Sequence, residues 1–109
     1  MIFYAEDNRN DQCREVEKFW TEKRLPIMVV EELAELQQAI CKHDRFIRTD
    51  EDYPEDEFCK NWDNMIAEMA DVYISLEALQ WMLSANFEDK LLLDKEIHAA
   101  IDEKLSKKY

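Results

Sequence analysis

The chain contains no glycine and only two prolines, Pro26 and Pro54. Without glycine, tight hairpin turns and Gly-rich phosphate loops lack the residue that takes positive φ freely, so sheet-rich topologies and Walker-type nucleotide cradles are disfavoured. Positive charge is scarce as well: 14 Lys and Arg stand against 26 Asp and Glu, a formal charge of −12. Nucleic acids and anionic membranes are polyanions held by Lys and Arg, so direct binding to either is disfavoured. An acidic protein that handles a polyanion needs metal ions as the bridge. The three cysteines, Cys13, Cys41 and Cys59, are widely spaced with no C-x-x-C pair, and His43 and His98 are the only histidines. This argues against a zinc site or a disulfide framework and for reduced thiols in a cytoplasmic protein. The opening MIFYAEDNRND is too short and too acidic for a signal peptide.

What is abundant is Glu, Lys, Leu and Ala, which points to an all-α fold. The 109 residues show no linker, repeat or low-complexity segment. We therefore expect a single domain over 1–109, small enough for dimerisation to help it.

The most informative stretch is Met65 to Leu83, MIAEMADVYISLEALQWML, which is apolar almost all the way round a helix. It nonetheless carries Glu68, Asp71 and Ser75. At about 100° per residue these three form one narrow stripe, with Glu77 and Gln80 on roughly the opposite side, where they are expected to face water. Carboxylates inside a packed interface are costly unless a cation meets them. The stretch approaches transmembrane length, but its three acidic residues argue against a membrane span.

Taken in order, Asp7 and Asn8 can cap a first helix to about Lys23, with Val16, Phe19 and Trp20 as its apolar side. Pro26 suits the first turn of a second helix, expected to end near His43 or Asp44, with Val29, Val30, Leu33, Leu36 and Ile40 as its stripe. Glu32 and Glu35 flank that stripe, whereas Glu31 points elsewhere and reads as a solvated charge. Arg45 to Tyr53 has no helical period and reads as a loop. A third helix starts at Pro54 with Glu55-Asp56-Glu57, or only near Asn61, and runs to Leu83. Asn86 and Asp89 resemble the cap of a fourth, from about Glu88 to Lys107, with Leu91, Leu92, Ile97, Ile101 and Leu105 as its contacts.

Glu32-x-x-Glu35 and Glu68-x-x-Asp71 are thus two i, i+3 carboxylate pairs beside apolar packing surface. If the second and third helices pack antiparallel, as a short connection favours, the pairs can face one another. Each close pair would then repel by roughly 3 to 4 kcal/mol at an effective dielectric near 20. Hard divalent cations remove that penalty, and Mg²⁺ suits an all-oxygen site.

These motifs, EELAEL followed by EMADV, resemble the paired ExxE and ExxD motifs of the MazG-like all-α nucleoside triphosphate pyrophosphohydrolases. VEKFWTEKRLP resembles the family's first helix, and IHAAIDEKLSKKY its C-terminal helix with its Lys. The spacing departs from compact members, with 32 residues between Glu35 and Glu68, and Lys108 stands where members often place Asn. The resemblance implies a four-helix antiparallel bundle that oligomerises through its helices as a homodimer or homotetramer. It implies hydrolysis of a ribo- or deoxyribonucleoside triphosphate to the monophosphate and pyrophosphate, for nucleotide-pool control or house-cleaning. Glu32, Glu35, Glu68 and Asp71 would hold Mg²⁺, with Mn²⁺ as a substitute, and Glu35 would serve the attacking water. Trp20 and Trp62 would stack the nucleobase and Lys104 would bind phosphate.

Each assignment has a plainer counterpart. Large aromatics at helical spacing are often core, Lys104 near a helix end serves the dipole, and Arg45 and Arg48 read as solvated charges although a loop could close them over phosphates. A non-catalytic acidic helical decoy, mimicking nucleic acid for a basic partner, would be equally small and negative. A carboxylate-bridged di-iron bundle would need Glu-x-x-His twice, and neither His43 nor His98 stands three residues after a Glu.

Overall fold

The computed structural model describes residues 8–21, 24–48 and 55–108, with the side chains of 21, 46–48 and 108 outside that description. The described residues form four helices and no strand: α1 (Asn8–Thr21), α2 (Leu25–Arg48), α3 (Glu55–Met82) and α4 (Phe87–Lys108). None is long and apolar enough to cross a membrane. The proposed cap Asp7 and the loop residues 49–54 lie outside the described residues.

Local chemistry accounts for the helix ends. Arg24 adopts φ 65°, a left-handed conformation that glycine would take freely and that costs another residue about 1 to 2 kcal/mol. Its carbonyl accepts hydrogen bonds from the Ile27 and Met28 amides at 2.9 and 3.3 Å, which opens α2 with Pro26 in its first turn. The same turn drops Leu25 into the core at 1% exposure, a burial that contributes about 1.5 to 3 kcal/mol. α3 begins with Glu55, Asp56 and Glu57 in its first turn, where negative charge suits the dipole. α4 starts on the cap its sequence suggests: the Asp89 amide donates to Asn86 Oδ1 at 2.9 Å, and the Ala85 amide donates back to Asp89 Oδ2 at 3.3 Å.

α2 runs on to Arg48 rather than ending near His43 or Asp44. Nothing from 45 to 48 breaks a helix, and Pro54 restricts only the residue before it. The connection to α3 is correspondingly shorter than nine residues.

α2 and α3 pair antiparallel: Leu25 and Val29 meet Ala78 at one end, and His43 meets Phe58 and Trp62 at the other. The paired residues follow alternating three- and four-residue steps, Leu25, Val29, Glu32, Leu36, Ala39 and His43 on α2, and Asn61, Met65, Glu68, Val72, Ser75 and Leu79 on α3. This is the spacing of a coiled-coil seam, with acids built into it. α1 lies against α3 and, through Val16 and Trp20, closes over the Leu25, Val29 and Ala78 cluster.

Three packing expectations are corrected. The stripe expected to make the α2 core divides: Val29 is buried and Leu36 half-buried, but Val30, Leu33 and Ile40 are exposed. Phe19 on α1 is likewise exposed, touching Trp20 edge-to-face. α4 is not a full member of a four-helix core, because among the described helices its backbone comes close to α3 alone, near the elbow at 83–86, and Leu92, Ile101 and Leu105 are exposed. Hydrophobicity marks such residues for burial without saying against what.

Candidate functional site

The seam brings together the two helical segments that carry the predicted acids. Glu32 from α2 and Glu68 and Asp71 from α3 each place a carboxylate oxygen within 4.8 Å of the others. Glu32 and Glu68 are half-buried and Asp71 is exposed. Glu32 Oε2 and Glu68 Oε2 are sealed from solvent and meet no donor among the described residues. Buried carboxylate oxygens are normally hydrogen-bonded, so two unpartnered ones in one cluster make a donor set that suits a cation.

Among the described residues, the charges that act on these two acids are all negative. Burial comes first in pushing the Glu32 carboxyl above the usual carboxylate range, followed by the charges of Glu35, Asp71, Glu68 and Glu31. Burial also leads for Glu68, reinforced by the charges of Glu35 and Asp71 and by a hydrogen bond with Glu35 that favours the protonated acid. Glu35 is exposed and stands outside the closest trio, touching it through Glu68. Ser75, on the same polar stripe, is buried and donates its hydroxyl hydrogen to the Val72 carbonyl at 2.9 Å.

Beside the acids opens a cleft of about 250 Å³ lined by Val16, Trp20, Leu25, Met28, Glu32, Asp71, Ile74 and Ser75. Its walls are mainly apolar and its acids stand to one side, the composition of a small-molecule site. Trp20 is therefore next to the acids. Trp62 is not: it lies six residues before Glu68, about 9 Å along α3, in a cluster with Phe58 and His43 whose ring centroids are 5.3 to 6.3 Å apart. Lys104 is exposed on α4, which makes no close backbone approach to α2 among the described residues, so the chain does not bring it to the acids. Arg45 is exposed on the far part of α2, and the side chain of Arg48 lies outside the described residues.

A second buried charge cluster corrects the expectation that Glu77 and Gln80 face water. Glu77 is 0% exposed and Gln80 8%, because α1 and the start of α4 cover that side of α3. Lys90 donates to Glu77 Oε1 at 2.6 Å and to both Asp94 oxygens at 2.9 and 3.1 Å, and its Nζ lies 5.2 Å from the Trp81 ring centroid. Burial pushes the Lys90 ammonium down, but its hydrogen bonds to Glu77 and Asp94 more than offset this and hold it above its ordinary value. Only the i, i+4 spacing of Lys90 and Asp94 hinted at the cluster; the pairing with Glu77 depends on the angle of the elbow.

No family model, curated protein or solved structure matches the chain.

Proposed function

We propose that the protein is a divalent-cation-dependent nucleoside triphosphate pyrophosphohydrolase of the MazG-like kind, converting a nucleoside triphosphate to the monophosphate and pyrophosphate. The observation that carries this reading is the trio Glu32, Glu68 and Asp71, with two buried, unpartnered carboxylate oxygens beside an apolar cleft. An all-carboxylate donor set without Cys or His fits a hard cation such as Mg²⁺ or Mn²⁺, held by these three residues with Glu35 at their edge. A cation bound there would neutralise phosphate oxygens and lower the pKa of water.

The chain's own residues do the rest. Glu35, the exposed acid coupled to Glu68, orients the attacking water and accepts its proton. Val16, Met28 and Ile74 exclude solvent around the base and sugar, and Trp20 offers a ring face for stacking. With the nucleoside in the cleft, the α-phosphorus lies nearest the acids, and the outer phosphates leave together. A decoy would spread its carboxylates through solvent, and the sealed oxygens of Glu32 and Glu68 favour the enzyme over that alternative.

The reading includes a homodimer. On α2, Val30, Leu33 and Ile40 lie about 100° round from the seam, and on α3, Trp62, Ile66 and Tyr73 lie about 120° round from it. In an antiparallel pair, these offsets put both exposed stripes on one side, away from the cleft. Both stripes are exposed and apolar on a chain of −12, and such patches mark interfaces between subunits. Light scattering should give a dimer or larger at micromolar concentration, and a monomer for Ile66→Lys.

The enzymatic reading is tested with a panel of ribo- and deoxyribonucleoside triphosphates and Mg²⁺. Monophosphate and pyrophosphate should appear in equal amounts; diphosphate and orthophosphate appearing first would contradict the mechanism. Glu68→Gln and Asp71→Asn should each abolish turnover in a folded protein, and full activity in both would overturn the site assignment.

A further inference from the structure

The cleft beside the acids has a volume of about 250 Å³, short of the roughly 300 to 1,000 Å³ of a typical small-molecule site. It does not end there. A second chamber of about 410 Å³ adjoins it, and Val16 of α1 and Ile74 of α3 line both. On α1 the wall runs back from Trp20 through Val16 and Cys13 to Arg9 in steps of four, three and four residues, so one face of the helix borders both chambers over about 16 Å. On α3 the order is Asp71, Ile74, Ala70 and Tyr73, which follow one another by about 60°, 40° and 60° round the helix in one direction. The two chambers therefore form one groove that starts at Asp71 and crosses α3 to Tyr73.

Beyond Val16 and Ile74 the walls change in character. None of the described residues lining the second chamber is Asp or Glu, on a chain that carries 26. Cys13 is buried there, and burial leads in holding its thiol protonated. Ala70 leaves room where a larger side chain would close the passage. Tyr73, half-exposed, offers a ring face at the end farthest round α3 from Asp71. Such walls do not match a metal-bound triphosphate. They match an uncharged aromatic or alkyl group, whose burial removes apolar surface of both partners from water.

We infer that the groove takes a nucleotide enlarged on its base by a bulky apolar substituent: phosphates at the acids, sugar and base between Trp20 and Ile74, and the substituent past Val16 in the second chamber. The inference rests on the nucleotide reading of the acid cleft and adds its substrate class. An unsubstituted base fills only the part nearer the acids and leaves the apolar walls beyond it in water.

The test is calorimetric binding, with Mg²⁺, of α,β-methylene triphosphates, which cannot be cleaved between the α and β phosphates. Adenosine and cytidine analogues are each compared with and without a benzyl group on the exocyclic amine. At least one benzylated analogue should bind about tenfold tighter than its parent or better, equivalent to about 1.4 kcal/mol. Ala70→Phe, at an exposed position, fills the passage and should bring that ratio back towards unity. Turnover is scored separately on the cleavable triphosphates. Tighter binding without pyrophosphate release would support the groove while contradicting the hydrolytic reading of the acids. If neither benzylated analogue binds tighter than its parent, or if the preference survives in folded Ala70→Phe, the inference is overturned.

Discussion

Glu68 and Glu77 lie nine residues apart on α3, about 180° round the same helix, and each has carboxylate oxygen withdrawn from water. Glu77 meets an ammonium at 2.6 Å, which in turn meets Asp94. Glu68 meets Glu35, Asp71 and Glu32, all of its own sign. One group on one helix is thus completed by the chain in one place and left incomplete in the other. Burial alone does not separate a structural acid from a ligand-binding one; charge balance does. The compensated cluster joins three helices, whereas the uncompensated one borders the cleft.

The largest effect should come from unbalancing the balanced cluster. Lys90→Met removes the ammonium that meets the buried Glu77 at 2.6 Å and should destabilise the fold by about 3 to 5 kcal/mol in urea unfolding. Adding Glu77→Leu to that variant should recover most of the loss, and no recovery would mean that volume matters more than charge. Balancing the unbalanced cluster should act in the opposite direction. A divalent cation at a hundredfold excess over its Kd should stabilise the protein by about 2.7 kcal/mol, read as a rise in Tm.

A smaller effect concerns pH. Glu32 and Glu68 have raised pKa values, so the folded state holds their protons more tightly than the unfolded state does. Their contribution is largest below the ordinary carboxylate range and is lost as pH rises through the raised values. In metal-free buffer, the Tm of Glu68→Gln relative to wild type should therefore improve as pH rises through that region. A difference independent of pH would show that Glu68 titrates normally. The smallest effect is on reactivity alone: burial leads in raising the Cys13 thiol, with Glu77 adding to it. Native alkylation should accordingly modify Cys41 and Cys59 well before Cys13.

The features visible in the sequence were those set by near neighbours along the chain. Pro26 in the first turn of α2, the acidic start of α3 and the Asn86 and Asp89 cap all appear where local chemistry puts them. The two acid pairs were visible because i, i+3 carboxylates on so apolar a helix have little solvated face to occupy. What could not be read depended on distant contacts. Val29 and Val30 are equally hydrophobic, yet one faces the seam and the other solvent, since apolar spacing marks inner and outer stripes alike. Glu77 looked solvated because its lysine lies 13 residues on, across an elbow whose angle no periodicity encodes. Trp62 and Lys104 match the resemblance by their place in the chain, but a single chain holds them apart from Glu32, Glu68 and Asp71.

The most direct test of the comparison is a Mn²⁺ titration followed by electron paramagnetic resonance, run in parallel on wild type, Glu68→Gln and Glu77→Gln. Charge balance predicts that wild type binds the ion, that Glu68→Gln loses at least about tenfold in affinity, equivalent to about 1.4 kcal/mol, and that folded Glu77→Gln binds as wild type does. Equal affinity in wild type and Glu68→Gln would contradict it.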